Sequence, residues 1–100
     1  MAVINSKVIS GELQGSASAL QGPDIDCLQV TFKALASNAG NVYLGGAGVT
    51  VADGTTDATT GIELDAGDEI TLVIGNLSLV YRISDNAGDD LTYIALTAAA

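Results

Sequence analysis

Apolar and polar residues alternate with period two over several stretches of the chain. In "CLQVTFKALA", residues 27–36, Leu28, Val30, Phe32 and Ala34 share one parity, and Gln29, Thr31 and Lys33 the other. Successive side chains of a pleated strand point to opposite sides, so this pattern predicts a half-buried β-strand. "EITLVIG" sets Ile70, Leu72 and Ile74 against Thr71 and Val73, and "LSLVYRIS" aligns Leu77, Leu79, Tyr81 and Ile83. "LTYIALTA" is apolar on both parities, with Leu91, Tyr93 and Ala95 against Ile94 and Leu96. That run predicts a strand covered on both faces or placed in an interface.

Turn signals separate the runs. Gly75-Asn76 stands between two alternating segments and predicts a tight hairpin. Asp85-Asn86-Ala87-Gly88 predicts a turn with Gly88 in a left-handed position, and Ala66-Gly67 a third turn after the short strand "GIEL". "NVYLGG" and "GVTVADG" read as two further short strands, followed by the polar excursion "TTDATTG". No segment carries three turns of helical periodicity free of glycine. Short strands with turns every eight to twelve residues predict an all-β, single-domain antiparallel β-sandwich, jelly-roll-like. Residues 1–7 are expected to form a flexible N-terminal arm and residues 97–100 a short tail.

Composition sharpens this picture. The chain has 100 residues, 48% hydrophobic but only 4% aromatic, so the core must be built from Val, Ile, Leu and Ala. A chain of this size buries roughly 64% of its unfolded surface. A mean hydropathy of +0.41 is more than such a core can absorb, and the surplus is expected in an oligomer or partner interface. Twelve acids against Lys7, Lys33 and Arg82 give a net charge of −9. Three dispersed bases cannot form the footprint of a DNA or RNA binder, nor draw the chain to an anionic membrane. The start "MAVINSKVISGEL" has no basic segment leading into a long apolar run, so no signal peptide is expected, and no window reaches a membrane span.

The candidate chemistry is sparse. Cys27 is the single cysteine and there is no histidine, which removes zinc ligation and a thiol–imidazole pair. Nine of the 12 acids lie between Asp53 and Asp90, but "DGTTD" and "DNAGDD" lack the alternating ligand spacing of a calcium loop. Paired carboxylates for glycoside hydrolysis are possible in outline, but no tryptophan is present to stack a sugar. "GGAG" lacks the lysine and hydroxyl residue of a phosphate loop. Tyr43, Tyr81 and Tyr93 fall in predicted strands, as rim packing or as interface anchors. No enzyme and no cofactor are expected.

Asn41 to Gly45 ("NVYLG"), Val49-Thr50, Gly61 to Asp68 ("GIELDAGD") and Leu77 to Tyr81 ("LSLVY") follow one another in order. Together they resemble the pattern of small capsid decoration (cement) proteins of tailed bacteriophages, over roughly the last two-thirds of the chain. The resemblance implies a β-sandwich homotrimer on the outer capsid surface of the virion, made in the host cytoplasm and clamping neighbouring copies of the major capsid protein. It implies no catalytic residues. Val3, Ile4 and Lys7 in the arm, Gly45, Gly46 and Val49 near the glycine-rich rim, and Tyr93 and Ile94 in the last strand are the expected capsid or oligomer contacts. A host-adhesion or carbohydrate-binding module of a phage fibre or tail is the alternative.

Overall fold

The computed structural model describes residues 6–98, and the strands follow the apolar alternation. They are β1 (Ser6–Leu13), β2 (Leu20–Gln21), β3 (Gln29–Ala34), β4 (Val42–Gly45), β5 (Ile62–Leu64), β6 (Glu69–Leu72), β7 (Tyr81–Ser84) and β8 (Leu91–Ala98). No α-helix occurs among the described residues; a single 3-10 turn spans Leu77–Leu79.

The pairing is nested: β1 with β8, β2 with β7, β3 with β6 and β4 with β5, all antiparallel. The chain is thus one long hairpin folded over on itself. Two further pairings, β3 with β8 and β4 with β7, close it into sheets ordered β1-β8-β3-β6 and β2-β7-β4-β5. Eight strands in these two orders make a jelly roll. The expected antiparallel sandwich is what the chain forms.

The core lies between the sheets. Val30, Phe32 and Ala34 of β3 and Leu91 and Ala95 of β8 face Val42 and Leu44 of β4, Leu64 of β5 and Leu77. Phe32 is the largest fully buried side chain, at 1% exposure. Burial along β6 alternates as expected, with Ile70 and Leu72 inward. Gly11 interrupts β1 without ending it. It sits opposite Tyr93, and a Cβ there would stand 2.8–3.0 Å from the tyrosine ring. The ring occupies the volume a side chain would take.

Several local expectations are corrected. β1 begins at Ser6, and Ser6 and Lys7 pair with Ala98 and Thr97; Lys7 is therefore strand, and the tail loses Thr97 and Ala98 to β8. Residues 1–5 and 99–100, including Val3 and Ile4, lie outside the described residues. Gly75-Asn76 makes no hairpin, because β6 and β7 belong to different sheets. Asn76 instead caps the 3-10 turn, its side chain accepting from the Ser78 amide at 2.8 Å. "GVTVADG" forms no strand, only an isolated parallel bridge between Thr50 and Thr60. Gly67 does adopt a positive φ of 87° at its turn, whereas Gly88 is not among the positive-φ residues. In β7 the inward residues are Arg82 and Ser84, not Tyr81 and Ile83. Arg82 is tolerated inside because its Nε and Nη1 donate to the carbonyls of Gln14 (2.8 Å) and Gln21 (3.3 Å).

The sidedness of the sheets gives a direct test. Phe32→Ala is expected to lower stability by about 4 kcal/mol, measured by urea unfolding. Val73→Ala, at a residue 83% exposed, is expected to change it by less than about 0.5 kcal/mol.

Candidate interaction surface

Strand direction sorts the loops onto two ends. Loops 14–19, 35–41, 65–68 and 85–90 lie at one end; loops 22–28, 46–61 and 73–80 lie at the other, with both described termini.

At the first end the acids serve the backbone. Asp89 is 2% exposed, and its Oδ1 accepts from the amides of Ala39 (3.0 Å) and Gly40 (3.1 Å). Its Oδ2 accepts from the Asn86 amide and the Asn86 side-chain nitrogen, both at 3.0 Å. Burial opposes ionisation of this carboxyl, but the hydrogen bonds from Gly40, Asn86 and Ala39 outweigh it and hold its pKa below the ordinary value. Asp90 accepts from the Gly15 amide at 2.8 Å, and Asp85 from the Asn41 amide at 2.9 Å and the Tyr43 hydroxyl at 3.2 Å. Gly15 is required here, since a Cβ would stand 2.1 Å from the Asp89 carbonyl oxygen.

At the second end, Asp53 and Asp57 each fold back on a threonine two residues later. The Thr55 hydroxyl donates to Asp53 at 2.6 Å and the Thr59 hydroxyl to Asp57 at 2.7 Å. These bonds lower the pKa of both carboxyls. Among the described residues, no group of three or more Cys, Asp and Glu converges as a metal site would require. Cys27 is buried, its thiol donating to the Ile74 carbonyl at 3.1 Å. Burial, then the nearby Asp26 charge, raises its pKa, which disfavours the nucleophilic thiolate.

The surface that stands out is the outer face of the β1-β8-β3-β6 sheet. The register places Val8 opposite Leu96, Leu96 opposite Gln29, and Ile94 between Ser10 and Thr31. Val8 is 60% exposed, Ile94 54% and Leu96 40%. Thr31 and Thr71 extend the face with a hydroxyl–hydroxyl bond of 2.7 Å. It carries two shallow depressions of about 190 and 140 Å³. It is flat, apolar around Val8, Ile94 and Leu96, and edged with hydroxyls and with the charged Glu12, Lys33 and Glu69.

The expected contact residues are dispersed over the molecule. Ile94 belongs to this face, but Tyr93 points to the opposite side of β8, half-buried against the core. Gly45, Gly46 and Val49 sit at the second end, and Lys7 at the same end on the edge strand β1. Gly46 is open to solvent. Val49 is corrected: it is 2% exposed, with its Cγ2 so close to Gly45 and Gly61 that a Cβ would stand 2.9 and 2.7 Å away. It closes the root of loop 46–61 rather than facing a partner. Leu96 belongs to "LTYIALTA", the run expected to be covered on both faces or placed in an interface; nothing in the sequence singles out Val8. Comparison with protein-family models, with curated proteins and with solved structures finds no match to this chain.

The Asp89 knot makes stability depend on acid. A carboxyl whose folded pKa lies below its unfolded value, about 3.9, stabilises the fold above that pH. The contribution is lost as pH falls through the folded pKa. Asp89→Asn is expected to cost about 3 kcal/mol at neutral pH, measured by urea unfolding. The gap from wild type should close progressively as pH falls below about 3.9. A chelator is expected to leave the melting midpoint unchanged, because these acids already accept from the protein's own donors.

Proposed function

We propose that this chain is a structural interaction protein of a virion: a capsid decoration protein of the tailed-bacteriophage type. It binds the outer shell at junctions between major capsid subunits and stabilises it. The observation that carries the reading is the exposed face around Val8, Ile94 and Leu96. A small sandwich cannot hide all its apolar side chains, and here Val8, Ile94 and Leu96 lie exposed together on one sheet face. A flat face offers little depth to a small ligand but suits a broad, shallow protein contact. The acidic surface, with a net charge of −9, favours a basic or neutral docking surface.

Self-association as a homotrimer through this face is part of the proposal. Many copies on an icosahedral lattice then act together, so modest affinity at each contact gives a large total stabilisation of the shell. The glycine-rich loop 46–61 and the start of β1, at one end of the sandwich, supply further contacts through Gly46 and Lys7.

Light scattering at micromolar concentration is expected to give a trimer of the 10.0 kDa chain, and Ile94→Glu to shift it to monomer with the fold kept. Co-sedimentation should show full-length protein pelleting with expanded, undecorated capsids. Deletion of residues 2–5, which leaves β1 whole, should weaken the pelleting. Protein that pellets with no capsid state but binds a sugar array would replace decoration by adhesion.

A further inference from the structure

A second apolar surface lies between the sheets rather than on them. β5 and β6 are edge strands, each paired on one side only. Among the described residues no backbone hydrogen bond crosses from one to the other. The sheets stand apart there, leaving an apolar cleft of about 310 Å³ lined by Leu44, Gly45, Ile62, Ile70, Leu72 and Val80. Ile62 is 56% exposed. Residues 62–72, which supply β5, the turn and β6, carry Glu63, Asp65, Asp68 and Glu69 and no base. All four acids are exposed.

We propose that this cleft takes the apolar side chains of an extended, basic segment of a partner protein, laid along the unpaired edge of β6. The inference rests on reading the chain as an interaction protein. Strand addition satisfies the free backbone groups of an edge, and side-chain alternation then sorts the partner's residues. One parity enters the cleft beside Ile70 and Leu72. The other lies beside Glu69 and Thr71 on the outer face, where Lys or Arg meets the acidic edge. The charge favours a basic partner: although Lys33 lies opposite Glu69, the turn beside it adds Asp65 and Asp68, and an acidic strand would be repelled at that end of β6. It also explains how an edge flanked by Val73, 83% exposed, avoids pairing with other copies of this acidic chain.

The probe is the peptide acetyl-Lys-Val-Lys-Leu-Lys-Val-Lys-amide, titrated into methyl-labelled protein and followed by NMR. Saturable shifts at the methyl groups of Ile62, Ile70, Leu72 and Val80 are expected. The same peptide with Glu for Lys, or Ser for Val and Leu, should bind at least about tenfold more weakly. Val80→Phe, which fills the cleft, should remove the response, and Glu69→Lys, at an exposed site, should weaken it without touching the core. Shifts confined to Ile94 and Leu96, or equal binding of the acidic peptide, would overturn the proposal. Capsid co-sedimentation separates the two readings. If wild type and Val80→Phe pellet equally and the peptide produces no shifts at the cleft, the cleft is wrong and decoration stands. If the peptide enters the cleft but wild type pellets with no capsid, decoration fails and the cleft stands.

Discussion

A buried carboxylate with four donors joins the crossings at one end of this sandwich. Asp89 takes amides from Ala39 and Gly40 in one sheet-to-sheet loop, and an amide and a side-chain nitrogen from Asn86 in another. Its own carbonyl accepts from the Ser84 hydroxyl at 3.0 Å and lies against Gly15 in a third. The loops must pass between sheets where their backbone groups have no ladder to join, and a buried unpaired amide is costly. An ionised acceptor answers several at once. The paired strands β3 and β8 and the paired strands β4 and β7 all begin or end at this knot, so their register depends on it.

Nested pairing then leaves the molecule with an uneven distribution of apolar surface. The interior is small and nearly all aliphatic, closed by Phe32 on one sheet and by Val42, Leu44 and Leu64 on the other. Arg82 enters the interior because two carbonyls meet its guanidinium, although burial lowers its pKa. Part of what the interior does not take gathers in two places. One is the outer face around Ile94; the other is the cleft where the sheets part beside β6. The first carries depressions of about 190 and 140 Å³, and the second holds about 310 Å³. They differ in the contact each can make: a flat protein surface on one, inserted side chains on the other.

The acids have two physical roles that composition does not separate. Asp85, Asp89 and Asp90 act inside the knot as acceptors for backbone donors, and Asp53 and Asp57 pin the long rim loop through their threonines. Glu63, Asp65, Asp68 and Glu69 face solvent along the free edges. There their charge disfavours edge-to-edge pairing with another copy of the chain.

The sequence alone was sufficient for the fold class and for the strands whose alternation is clean. β3, β6 and β8 are legible because packing against one core repeats every second residue, and that periodicity is a local property. β1 was hidden because Gly11 breaks its apolar run, and only the ring of Tyr93, far along the chain, restores the surface. The hairpin expected at Gly75-Asn76 failed for a related reason: two alternating runs beside a turn look alike whether they share a sheet or cross between two. The inward parity of β7 was inverted because Tyr81 and Ile83 are more apolar than Arg82 and Ser84, and only distant carbonyls at Gln14, Gln21 and Asp89 make the polar pair acceptable inside. Val49 looked like a rim contact until Gly45 and Gly61 closed around it. Local pattern determines which segments become strands; the partner across the sheet, the occupant of each void and the acceptor for each buried donor are long-range choices, made only when the chain is folded.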